Sequence, residues 1–71
     1  MTVNLEPRRR QGLEFITELR KWAIDPSEIM FNGIMTNRLL DASTYEAVDT
    51  IVVVLEERLH KQLLDKLTIN L

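Results

Sequence analysis

Two helix-start signals divide this chain of 71 residues, and they restrict its fold more than any other feature. In Asp25-Pro26-Ser27-Glu28 a carboxylate precedes a proline at the first helical position and a glutamate at the third. The aspartate can accept amides that a helix start leaves without partners, and Glu28 can reach back to the cap. Ser43-Thr44-Tyr45-Glu46 repeats the pattern as an S-x-x-E box with Ser43 as the cap. Each signal opens an apolar-rich segment. The chain is therefore read as one mainly α domain of three helices, over about 8–24, 26–40 and 44–67.

Periodicity supports each helix. Phe15, Ile16, Leu19, Trp22 and Ala23 recur at i, i+1, i+4, i+7 and i+8, with Glu14, Glu18, Arg20 and Lys21 on other faces. In the third segment Ala47, Ile51, Leu55, Leu59, Leu63 and Leu67 form an i+4 ridge flanked by Val48 and Val52. Glu57 with Lys61, and Lys61 with Asp65, add support one turn apart. The β-branched run from Thr50 to Leu55 would also suit a buried strand. Segment length and the preceding cap favour helix there. Leu67-Thr68-Ile69-Asn70-Leu71 echoes Thr2-Val3-Asn4-Leu5, and both alternate in a way that suits short strands.

The second segment is apolar nearly all round, with Ile29, Met30, Phe31, Ile34, Met35, Leu39 and Leu40. Such a helix needs cover on most sides. A chain this short buries only about 60% of the surface its unfolded form exposes. It has no cysteine and a single histidine, His60, so neither disulfides nor a metal cluster can staple it. Association is the staple that remains. We expect a homodimer built on Ile29, Met30, Ile34, Met35 and Leu39, and a protein-binding ridge on the third helix at Val52, Leu55, Leu59 and Leu63.

Reactive chemistry is not expected. His60 falls on a polar helix face one turn from Glu56, an arrangement that suits a solvated pair. Ser27 and Ser43 are accounted for by helix starts, and Gly12 and Gly33 stand too far apart for a phosphate loop. Asp41, Glu46 and Asp49 fit no calcium loop and are explained by the positive end of a helix dipole. Trp22, Phe15, Phe31 and Tyr45 mostly lie on core stripes rather than on a base-stacking platform, and Met30 and Met35 read as gap-filling core. No catalytic residue, metal ligand or cofactor is predicted. The longest apolar run, Ile51 to Leu55, is far short of the ~20 residues that span a bilayer. The N-terminus has no apolar stretch of the secretory type, so the expected setting is the cytoplasm.

Charge is divided unevenly, with +2 on residues 1–24 and −4 on residues 25–71. A basic head on an acidic body suits an anion-binding N-terminus. Thr2-Val3-Asn4-Leu5 forms a short alternating stretch; Leu19, Trp22 and Ile24 follow on the first helix; Asp25-Pro26-Ser27-Glu28-Ile29-Met30 opens the second. In that order and spacing, the first forty residues resemble the ribbon-helix-helix DNA-binding fold, in particular antitoxins of the RelB and DinJ kind. The resemblance implies a strand over 2–6, paired between two chains and laid in the major groove of double-stranded DNA. Thr2 and Asn4 would then face the bases while Val3 and Leu5 face the core. Amides near Ser27 and Glu28 would hold a phosphate, and Arg8, Arg9 and Arg10 would attract the backbone. The implied function is that of a homodimeric transcriptional regulator or antitoxin, with residues 41–71 extending the dimer or gripping a protein partner. The same residues allow another local reading, with Asn4 as a helix cap and Pro7 in the first turn. The chain is then an all-helical protein-interaction module with no role on DNA.

Overall fold

The computed structural model describes residues 3–70, with side chains to residue 68. It consists of α1 (Glu6–Trp22), α2 (Pro26–Asp41) and α3 (Tyr45–Asn70), joined by two short links. No strand occurs among the described residues.

The strand expected over 2–6 is corrected to a helix start. The Glu6 amide donates to Asn4 Oδ1 at 3.1 Å, and Pro7 occupies the first turn, where its missing N–H costs nothing. α1 therefore begins two residues earlier than the apolar stripe suggested. It ends at Trp22 because Ala23 turns extended (φ −71°, ψ 114°), which leaves Ile24 in the link and 90% exposed. Of the stretch after Leu67, read as strand-like by its echo of the N-terminus, residues 68–70 continue α3 and Leu71 lies outside the described residues.

The other two starts form as capping chemistry requires, with one shift of register. Asp25 Oδ1 accepts the Ser27 amide at 2.7 Å and the Ser27 hydroxyl as well, while Glu28 forms no side-chain hydrogen bond back to the cap among the described residues. Before α3 the cap is Thr44 and not Ser43: Thr44 Oγ1 accepts the Ala47 amide at 3.1 Å. The β-branched run is helical. Thr50 Oγ1 donates to the Glu46 carbonyl at 2.9 Å, and Val48, Val52 and Leu55 are inward at helical spacing.

Ile16 and Leu19 of α1, Met35 and Leu39 of α2, and Val48, Val52 and Leu55 of α3 make the core. Arg8 meets Asp49 and Trp22 meets Lys66, so α1 and α3 pack side by side in the same direction, with α2 running antiparallel to both. Gly12 faces the side chains of both other helices. A Cβ there would stand 2.7 Å from Leu39 Cδ2 and 2.9 Å from Val52 Cγ2, so only glycine fits without displacing core atoms. Two cation–π contacts close the seams: the Arg58 guanidinium lies 3.9 Å above the Phe31 ring and the Lys66 ammonium 3.7 Å above Trp22.

Candidate functional site: the outer face of the second helix

α2 turns Asn32, Met35 and Leu39 inward. A helix that is apolar nearly all round must then present apolar groups on the opposite side. Ile29, Met30, Ile34 and Leu40 stand there, each 46–66% exposed. Gly33 lies among them, and a Cβ built on it meets nothing within 4 Å. Glycine inside a helix costs about 1 kcal/mol relative to alanine, and no contact within the chain offsets that cost. Beside it, Arg20 and Ala23 of α1 with Ile29, Asn32 and Gly33 of α2 line an open groove of about 420 Å³. Asn32 is 4% exposed, and its Oδ1 has no hydrogen-bond partner. Such an orphan is expensive, about 1–3 kcal/mol.

Of the five residues expected at a dimer interface, the structure brings Ile29, Met30 and Ile34 together on this face. Met35 and Leu39 are corrected: they are 6% and 0% exposed and belong to the core of the single chain. At 100° per residue they project away from Ile29 and Met30, toward α1 and α3. Leu40 and Gly33 belong to the face and were not singled out. The signal for them was present as the spacing 29, 33, 36, 40, which returns to one side of a helix.

The partner-binding ridge on α3 is corrected at its inner half. Val52 and Leu55 are fully buried because α1 lies along them, and Leu59 is half-buried against the core. The ridge emerges only at Leu63, joined by Leu64 and Leu67, all three exposed.

The residues proposed to touch DNA are mostly occupied within the chain. Thr2 lies outside the described residues. Asn4 caps α1. Arg8 holds Asp49 at 2.7 Å and donates to Gln11 Oε1 at 2.8 Å. Arg9 donates to the carbonyls of Leu39, Leu40 and Ala42, closing the C-terminal end of α2. Nothing in the sequence distinguished this arginine from its neighbours. Arg10 alone of the three is exposed and forms no ion pair among the described residues. Ser27 is engaged by Asp25, whose carboxyl is held below its ordinary range by the Ser27 hydroxyl first and the Ser27 amide next. A carboxylate seated on the first amides of α2 occupies the place a phosphate would need.

His60 and Glu56 are exposed, as a solvated pair requires. Among the described residues no group of three or more histidine, aspartate or glutamate side chains could hold a metal ion, and no helix is long and apolar enough to cross a membrane. Compared with protein-family models, with curated proteins and with solved structures, the chain matches none.

Proposed function

We propose that this protein is a non-enzymatic helical interaction module whose working surface is the outer face of α2. One observation carries the reading: Ile29, Met30, Ile34 and Leu40 share that face and stay about half or more exposed, around a glycine the fold itself does not require. Isolated exposed apolar residues are ordinary, whereas a contiguous set on one helix marks a surface that another helix or groove covers. Burying such a set is worth roughly 25 cal/mol for each Å² withdrawn from water. The repressor reading has less support, since Asn4 caps a helix and Arg8 and Arg9 are committed to Asp49 and to the end of α2.

A photoreactive amino acid placed at position 34, and separately at the exposed position 57, tests the reading in cells. Crosslinking at 34 should give an adduct of discrete mass that Met30→Glu abolishes, with none at 57. No adduct at 34, or equal labelling at both positions, would refute it. Salt-sensitive binding to mixed-sequence duplex DNA by the purified protein would restore the DNA-binding alternative.

A further inference from the structure

The geometry points to a second copy of this chain as the occupant of that face, with the two α2 helices antiparallel and crossing at Gly33 and Thr36. This rests on the outer face of α2 being a docking surface and names what docks there. Ile29, Gly33, Thr36 and Leu40 follow one another at spacings of four, three and four residues, so they form one strip along the helix. The strip is also symmetric about a midpoint between residues 34 and 35. A two-fold axis at that midpoint, perpendicular to the helix, sets each Ile29 against the other copy's Leu40 and each Gly33 against the other copy's Thr36. An isologous contact must be self-complementary in this way. Small residues then form the central layer and allow the backbones to approach, while large residues interlock at both ends. The glycine that has no intrachain neighbour acquires one. The buried acceptor on Asn32, beside Gly33 in the same groove, comes within the region the second helix enters.

Surface area supports a partner of this size. A folded monomer of 8.3 kDa is expected to expose about 4,600 Å², whereas this chain exposes 5376 Å². The excess of about 800 Å² equals what one partner contributes to an interface of ordinary size. Ile29, Met30, Ile34 and Leu40, all exposed, stand on the outer face of α2.

The chain has no cysteine, so introduced thiols report without background. Ile29→Cys and Leu40→Cys proteins should form little covalent dimer alone, because like positions lie about 16 Å apart along antiparallel helices. Mixed under mild oxidation, the two should crosslink at least tenfold more. Light scattering on the parent protein at 100 µM should give twice the chain mass. Gly33→Leu should melt at or above the parent temperature when dilute, yet scatter as a monomer. A monomeric parent, a dimeric Gly33→Leu, or crosslinking of Ile29→Cys with itself as efficiently as in the mixture would each overturn the pairing. A monomeric parent together with a discrete foreign adduct at position 34 would sink the self-pairing and leave the docking surface standing.

Discussion

Arg9→Ala should cost this protein a large share of its stability, although the residue reads in sequence as one of three solvated charges. Its guanidinium donates to three carbonyls at the end of α2, those of Leu39, Leu40 and Ala42. The side chain is only 13% exposed. A hydrogen bond to a charged donor contributes about 1.5–3 kcal/mol. The Leu40 bond is solvent-exposed and the released carbonyls regain water, so the three together are worth about 2–4 kcal/mol rather than their full sum. The Glu6 pair at 3.2 Å adds little, because Glu6 is 65% exposed. A domain of this length is stable by roughly 4–11 kcal/mol in all. The expected fall in Tm is about 8–32 °C, using 4–8 °C for each kcal/mol. Urea unfolding followed by circular dichroism gives the free energy directly, with Arg10→Ala as the matched control at within about 0.5 kcal/mol of the parent. Arg9→Lys should recover only part of the loss, since an ammonium cannot fork across three carbonyls. Equal midpoints for Arg9→Ala and Arg10→Ala would show that the clasp contributes nothing.

Four other substitutions probe the remaining features. Gly12→Val should destabilise by about 1–3 kcal/mol, because the new carbons enter space held by buried Leu39 and Val52; an unchanged urea midpoint would mean the helices can separate there freely. Ile29→Asp should leave the helical signal of the dilute chain intact while abolishing association, whereas Met35→Asp should unfold it; the reverse pattern in thermal melts and light scattering would invert the assignment of inner and outer faces. Asp25 has a folded pKa below its ordinary 3.8, so its contribution is fully present above that value and fades as pH falls through the lower folded pKa. Acid titration of stability should therefore be less steep for Asp25→Asn than for the parent, and identical curves would remove the cap from the account.

Much of the fold is legible in the chain because helix starts carry chemical signatures. Asp25-Pro26-Ser27 is readable since a short carboxylate, a ring-fixed φ and a hydroxyl all serve the same few amides. Ser43 and Thr44 both carry a hydroxyl that can cap, and a shift of one residue between them has no local tell. Asn4 satisfied two local readings, and the decision for helix was made where Pro7 meets the first turn. Which side of α2 faces inward was illegible for a different reason. Apolar residues surround that helix, so its periodicity names no core face, and Met35 and Leu39 separate from Ile29 and Met30 only when α1 and α3 take their places. The three arginines are the sharpest case. They are identical in type and adjacent in sequence, yet one pairs with Asp49, one closes α2, and one is left to solvent, by nothing more than a rotation of 100° per residue.

Trp22 is the only tryptophan in the chain, and the Lys66 ammonium sits 3.7 Å from the centre of its ring. Indole emission responds to a charge held at that distance, so the native fluorescence spectrum is a built-in gauge of whether the distal turns of α3 remain fastened to α1. It reads the end of the bundle opposite the Arg9 clasp, some 20 Å away along α1. Loosening at one extremity can thus be watched optically, without labels, while damage is inflicted at the other. An emission change that precedes the loss of helical signal would reveal that the bundle opens from that end first.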